Sequence, residues 1–296
     1  MENLELNIYD KTIPSFGVAG NFTGHLEQAG EARDFVNMKT KDVNAPKAIF
    51  PTYLPKGQSS KNTPEFLHTF PFDSKKIIFP KGEEKLQIEP ECAIICQALW
   101  EQDKLINLKP LVFTASNDCS IRKEGAKKIS EKKNWGPSSK GLSTTLIPLD
   151  GFEEGCILDD YRIASFLIRN KKVYEYGENS AVKNYSYIYN NLIEWMLDKF
   201  NNQEDMGPTQ NIHSFLLESN KPEKIMISIG ATRYSKWGQE NFLQKGDQAL
   251  VILYPQSLYT AKDISNSVAS FNFGGVLKSF FRFLRIEKFT GIGFVV

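Results

Sequence analysis

The sequence predicts an α+β fold, a mixed β-roll or sandwich with flanking helices. Three observations carry that prediction. Short β-type runs bounded by Gly, Pro and Asn recur along the chain and outnumber the helical patterns. They do not alternate regularly with helices, which argues against a doubly wound parallel sheet. No repeat appears at the periods of ~20–50 residues that mark solenoids and propellers.

The expected strands are Ile77–Phe79, Leu86–Cys96, Leu111–Ser116, Leu142–Pro148, Tyr161–Ile168, Lys172–Tyr176, Lys224–Ile229 and Gln248–Tyr254. Arg169-Asn170-Lys171 fits a tight turn that makes one pair a hairpin. The strongest helical pattern is Tyr185–Phe200, where Ile188, Leu192, Trp195, Met196 and Lys199 recur at helical spacing and Asn184 is positioned to cap. A shorter helix is expected at Thr209–Leu217, with Pro208 near its start. The Lys-rich stretch Arg122–Lys133 reads as an exposed helix or loop, and Phe35–Gln58 and Phe200–Pro208 read as loops. The division expected is a catalytic domain over 1–260 and an amphipathic tail over 261–296. In that tail Leu277, Phe280, Phe281 and Leu284 interleave with Lys278, Arg282, Arg285 and Lys288; a membrane-surface helix is one reading of that pattern, but Phe and Ile appear on all sides, which favours packing on the parent domain or a partner subunit.

Composition narrows the function classes. The 296 residues carry 36 Lys+Arg against 35 Asp+Glu, a net charge of +1, with 41% hydrophobic content. That is ordinary for a globular chain. A near-zero balance gives no footprint for a phosphate backbone, so no nucleic-acid partner is expected. No run approaches ~18 uncharged apolar residues, so no membrane span is expected. The start, MENLELNIYDK, is acidic and shows no secretory signal. Four cysteines form no CxxC pair, and with three histidines a Cys/His zinc site is not expected. Free thiols in the cytoplasm are the expectation. GxSxG, GxxxxGK[ST], GxGxxG and HExxH are all missing, so serine-hydrolase and nucleotide-loop readings get no support.

Four short segments carry chemistry. In Leu86-Gln87-Ile88-Glu89-Pro90-Glu91, the strand period puts Glu89 and Glu91 side by side on one face. Adjacent carboxylates repel unless a proton or a cation intervenes. Pro90 removes a ladder donor, which places the strand at an edge or beside a bulge. Alone, the pair reads as two surface glutamates on a solvated edge. The second segment, Asn117-Asp118-Cys119-Ser120-Ile121-Arg122, is a strand end turning on Asn-Asp. The third is Asn21-Phe22-Thr23-Gly24-His25, and the fourth runs from Gly136 through Lys140 to Thr145.

Taken together, these segments resemble the fumarylacetoacetate hydrolase family, including its acylpyruvate hydrolase and oxaloacetate decarboxylase branch. The family order is N-Y-x-x-H, E-x-E, N-D-x-S-x-R, a lysine segment with nearby threonine, G-T, then L-x-x-G-D. Here the corresponding residues are Asn21 to His25, Glu89-Pro90-Glu91, Asn117 to Arg122, Lys140 with Thr144, Gly230-Ala231-Thr232, and Leu243 to Asp247. The agreement runs from about residue 16 to residue 254. The resemblance implies the family's C-terminal-domain fold and a divalent cation (Mg²⁺, Mn²⁺ or Ca²⁺) on Glu89, Glu91 and Asp118. It implies His25 as the proton-moving residue, Lys140 as a fixed charge beside a developing oxyanion, and Thr144 and Thr232 as pocket hydroxyls. It also implies a homodimer. The family's usual glutamate three residues after the histidine is Gln28 here, placed to orient the imidazole without stabilising imidazolium. Lys56 and Arg233 are added as grips for a substrate carboxylate. The segment Phe200–Lys221 reads as an insertion.

The implied activity is hydrolysis or decarboxylation of a C–C bond in a small 2-oxo acid or 1,3-diketone. A hydratase or isomerase acting on a 2-oxo-enoic acid at the same site, and a non-catalytic ligand-binding protein, are the alternatives.

Overall fold

Two strands distant in sequence, Ser15–Ala19 and Lys224–Ala231, run parallel inside the larger of two main sheets. The computed structural model describes residues 6–35, 42–57, 61–83, 85–270 and, as backbone, 292–295. From one edge the large sheet runs Ala48–Tyr53, Ser15–Ala19, Lys224–Ala231, Pro90–Glu101, Lys104–Asn117, Lys140–Leu142 and Phe72–Asp73, with Ile147–Pro148 also pairing Lys104–Asn117. A second sheet orders Lys172–Ala181, Tyr161–Arg169, Gln248–Pro255 and Ile292–Val295, the last pair parallel. Leu86–Gln87 pairs with Ser120–Ile121 as a separate ribbon.

The strand Pro90–Glu101 reads as a near-continuous apolar run because both its faces are covered. Cys92, Ile94 and Cys96 enter a core shared with Ile163, Leu167, Val251 and Leu253 of the second sheet. Ala93 and Ile95 point the other way, into a cluster with Ile13, Tyr53, Phe72 and Met226. The helix Tyr189–Asn202 closes the main core with Leu192, Met196 and Phe200, each fully buried. Full burial stabilises by roughly 1.5–3 kcal/mol for a side chain of that size. The architecture is therefore a mixed α and β arrangement with few helices.

Several elements differ from expectation for identifiable reasons. The segment read as a loop over Phe35–Gln58 contains the buried strand Ala48–Tyr53. Pro51 hid it, yet the strand lies at the sheet edge, where a missing donor is tolerated. Pro90 begins a central strand, paired on both sides, and the pairing of Lys224–Ala231 slips next to it between Ser228 and Ala231. The bulge expected there is present, and the edge is not. Arg122–Lys133 is exposed only in part: Lys123, Glu124, Gly125 and Lys127 are exposed loop residues, whereas Ile129–Lys132 forms a 3₁₀ turn with Ile129, Ser130 and Lys132 buried. Ile77 is buried without forming a strand.

The long helix starts at Tyr189, four residues later than its periodicity suggests. Asn184 ends a short 3₁₀ turn instead of capping it. The Tyr185 hydroxyl donates to the Gly230 carbonyl (2.6 Å) and accepts from the Cys92 amide (3.3 Å), so this residue braces the sheet. The second helix spans Ile212–Glu218, where Asn211 accepts from the Ser214 amide at 3.0 Å. The hairpin at Arg169 to Lys172 has a two-residue loop with Asn170 and Lys171 at positive φ.

Of the segment 261–296, the helix Ala261–Ala269 packs Ile264 and Val268 on the outer face of the second sheet, against Ala164, Phe166 and Ile252. The amphipathic stretch Leu277–Lys288 lies outside the described residues. Among the described residues, no helix is long and apolar enough to cross a membrane.

Candidate metal centre

The site is built by strand ends. Pro90 pairs with Asn117 and Glu91 with Ser116, so the residues flanking those pairs, Glu89 and Asp118, meet where the two strands part. The Asp118 amide donates to the Glu89 carbonyl at 3.0 Å, and the Asn117 side chain accepts from the Glu89 amide at 3.1 Å. Glu91 reaches to the neighbouring strand, where the Gly230 amide donates to its carboxylate at 3.0 Å. Gly230 has φ +121°, and a Cβ there would lie 2.9 Å from Asn21 Cβ, so the position requires glycine. Glu89, Glu91 and Asp118 are all buried, and one carboxylate oxygen from each lies within 4.8 Å of the other two. The solvated pair of surface glutamates is therefore not what the chain builds.

Three hard oxygen donors at such separations match the chemistry of a divalent cation bound through carboxylates. The buried Glu/Glu/Asp group suggests such a cation.

Around the carboxylates lies a cationic layer. Lys140 Nζ is 2.7 Å from Asp118 Oδ1 and donates to the carbonyls of Asp118 (3.1 Å) and Cys119 (2.8 Å). Its strand pairs Gly141 with Asn117, which fixes the lysine beside Asp118. Lys133 Nζ contacts Glu89 Oε2 and lies 2.7 Å from Asp118 Oδ2 and 5.0 Å from the Phe50 ring. Arg122 pairs with Glu89 Oε1 (2.7 Å) and Glu31 (2.9 Å), and donates to the Tyr234 hydroxyl (2.6 Å). Lys132 pairs with Glu31 at 2.8 Å.

These neighbours set the protonation states. Burial would raise the Glu89 carboxyl, but the Lys133 and Arg122 charges outweigh it and hold it well below the usual carboxylate range. Burial, reinforced by Asp118, pushes the Glu91 carboxyl well up. Lys140 is pushed down by burial despite Asp118, whereas Asp118 and Glu89 overcome burial at Lys133 and hold it up.

His25 opens the one-turn helix His25–Gln28 and is buried. Its Nδ1 lies 2.9 Å from the Thr232 carbonyl. A carbonyl only accepts, so Nδ1 carries the proton and the neutral ring keeps its lone pair on Nε2. Burial pushes its pKa down, against the pull of Glu89. His25, Glu31, Glu89, Glu91 and Lys133 line one cavity of about 20 Å³, room for roughly one water molecule. Glu31 also lines a second, wider cleft of about 620 Å³ with Gln28, Arg33, Arg122 and Lys132.

Six of the ten residues singled out in the sequence meet here: His25, Glu89, Glu91, Asp118, Lys140 and, through its carbonyl, Thr232. The Thr232 hydroxyl is buried without a hydrogen-bond partner. Gln28 is close by, but its amide grips the Tyr234 backbone, accepting from N (2.8 Å) and donating to O (3.1 Å), and does not hold His25. The remaining three lie outside the cluster. Lys56 pairs with Glu65 at the surface (3.2 Å), Arg233 pairs with Glu178 (2.7 Å), and Thr144 is exposed. Sequence reasoning missed Lys133, Lys132, Arg122 and Glu31 as parts of the site. The only signal for the lysines is their position between Ile129 and Trp135 in an otherwise hydrophilic run.

A family model described as "Family of unknown function (DUF5718)" matches residues 31–282, and the chain belongs to that family. No curated protein matches. Solved structures similar to the chain include Cg1458 with inhibitor, at 14% identity and TM-score 0.49, covering 81% of this chain and 72% of that one. Another is 2-keto-3-deoxy-D-arabinonate dehydratase complexed with magnesium and 2,5-dioxopentanoate, at 13% identity and TM-score 0.47, covering 81% and 68%. A third is 5-carboxymethyl-2-hydroxymuconate delta-isomerase from Mycobacterium smegmatis, at 15% identity and TM-score 0.43, covering 81% and 74%. Likeness at this level assigns no function to the chain.

Proposed function

We propose that this chain, as a member of that family, is a metal-dependent enzyme acting on a small 2-oxo acid or 1,3-diketone. The observation that carries the reading is the meeting of Glu89, Glu91 and Asp118 with a neutral His25 and the charged Lys140 in one buried site. Glu89, Glu91 and Asp118 would hold the cation, Mg²⁺ or Mn²⁺ being the hard ions best suited to all-oxygen ligation. When bound, it would polarise the substrate's carbonyl oxygen.

The chain's own residues do the rest. Lys140, anchored on Asp118 and two carbonyls, supplies a positive charge that does not reorganise as negative charge develops. His25, with Nδ1 fixed on Thr232, is set to take or give a proton at Nε2. Burial outweighs the pull of the nearby Glu89 and keeps the ring neutral, so His25 is a proton acceptor first and gives a proton back only after it has taken one. That order also supports the second reading, isomerisation or hydration of a 2-oxo-enoic acid, in which a base takes a proton from substrate carbon or from water. The cavity beside the carboxylates holds about one water (about 20 Å³), so substrate would enter by way of the about 620 Å³ cleft that shares Glu31 with it.

The test is a turnover screen of oxaloacetate, an acylpyruvate and a 2-oxo-enoic acid with Mg²⁺, Mn²⁺ or EDTA. Cation-dependent loss of oxaloacetate is the expected result. No turnover of any of the three, with no cation-dependent shift in melting temperature, would overturn the enzyme reading and leave a ligand-binding protein.

A further inference from the structure

The family-like pieces leave one cation on the metal carboxylates without a role. Lys133 is not in any of the motifs, yet its ammonium lies between Glu89 Oε2 and Asp118 Oδ2, two of the three carboxylates that would hold the metal. Its side chain is 3% exposed. Its backbone amide donates to the Ser130 carbonyl (3.0 Å), and the Ser130 hydroxyl donates in turn to Gln210 Oε1 (2.7 Å). The ammonium itself is carried on four methylenes, so it has freedom its backbone lacks.

We propose that Lys133 is a built-in competitor of the divalent cation, and that it sets the cation affinity of this site. The inference rests on the metal reading above and concerns how that site is filled. An ammonium and a hard cation need the same carboxylate lone pairs. Metal–oxygen bonds of ~2.0–2.6 Å leave no place for a second positive centre against the same two oxygens. The charges agree. Glu31, Asp34, Glu89 and Asp118 face Arg122, Lys132, Lys133 and Lys140, so these carboxylates are already matched one for one by side-chain cations. A divalent ion added to this set must drive one positive group away. Arg122 is held by Glu31, Gln87 and Tyr234, and Lys140 by two carbonyls. Among the described residues Lys133 has only Glu89 and Asp118 as ion-pair partners, and it lines the cavity of about 20 Å³ into which it would move.

The experiment is calorimetric titration of purified wild type, Lys133→Met and Lys133→Gln with MnCl₂, checked by the Mn²⁺ paramagnetic resonance signal. Removing the competitor should tighten Mn²⁺ binding on the order of tenfold or more, about 1.4 kcal/mol per decade. Melting temperature is measured with and without Mn²⁺, because the variants leave two buried carboxylates unmatched. A variant that is unstable in EDTA and rescued by Mn²⁺ supports the proposal, since the ion then takes the ammonium's place. Binding to wild type with equal or weaker binding to both variants overturns the competition and leaves the metal reading intact. Failure of both variants to fold even with Mn²⁺ also overturns it. Absence of Mn²⁺ binding in all three proteins overturns the metal reading and this inference with it.

Discussion

Asp118→Asn tests the site as a charged structure before any question of turnover arises. The carboxylate is 2% exposed and pairs with Lys140 and Lys133, each at 2.7 Å. The amide keeps the shape and removes the charge. Lys133 retains Glu89, but Lys140 loses its only ion pair among the described residues and keeps two carbonyls. Breaking one partner of a buried ion pair costs roughly 3–5 kcal/mol, because it leaves an uncompensated charge out of water. For a chain of this size each kcal/mol moves the melting temperature by about 2–4 °C, so a fall of about 10 °C is expected in EDTA. The assay is thermal unfolding followed by circular dichroism. Glu65→Gln serves as the control: its pair with Lys56 is 67% and 81% exposed, and a shift within about 2 °C is expected there. Comparable small shifts in both variants would refute the reasoning, because the Asp118 pairs would then be as solvated as the surface one.

Other outcomes can be stated briefly. His25→Ala should lower turnover about 10²–10⁴-fold while leaving Mn²⁺ binding unchanged by calorimetry; unchanged turnover would remove the histidine from the chemistry. Gly230→Ala should weaken cation binding, because the new Cβ meets Asn21 Cβ at 2.9 Å and shifts the amide that donates to Glu91; unaltered Mn²⁺ affinity would show that this donor does not position Glu91. Burial lowers the His25 pKa below 6.5, so the unfolded chain binds a proton that the folded chain resists. Stability should therefore fall as pH drops below 6.5, and urea unfolding of His25→Gln should lack that share of the slope. Light scattering should give twice the chain mass, as for the expected homodimer, and a monomeric mass at all concentrations would exclude it.

Most of the second sheet was legible in the sequence, because its strands are bounded by turns and Asn170-Lys171 accepts positive φ. The strand Ala48–Tyr53 was not, because proline weighs against a strand until the edge is known, and edge position is a tertiary fact. The same limit explains the site. Glu89, Glu91, Asp118, Lys140 and His25 could be picked out by motif order. Lys133 could not, since it stands in a lysine-rich run whose one hint of burial is the flanking Ile129 and Trp135. Its burial is a tertiary outcome: Ile129 and Trp135 enter two different apolar clusters, and the ammonium is enclosed by Glu89, Asp118 and the Phe50 ring. Gln28 was legible as a neighbour of His25 but not as a clamp on Tyr234, because its partners are backbone atoms more than 200 residues away.

The irregular backbone around Pro90 ties these observations together. A regular ladder would continue the pairing past Glu91, with Glu89 and Glu91 spaced along one face. Instead Pro90 has no amide to donate, its carbonyl accepts from the Thr232 amide at 3.1 Å, and the neighbouring strand slips between Ser228 and Ala231. The slip frees the Gly230 amide to turn toward Glu91 and places the Thr232 carbonyl against His25. Asn117, at the end of the other flanking strand, holds the Glu89 amide through its side chain and hands the chain to Asp118. One interruption thus delivers a carboxylate donor, a histidine anchor and the spacing of three acids, each held by backbone groups. Such a site is rigid in its carboxylates and in Lys140 and Arg122, which leaves Lys133 as the part able to respond when a ligand arrives.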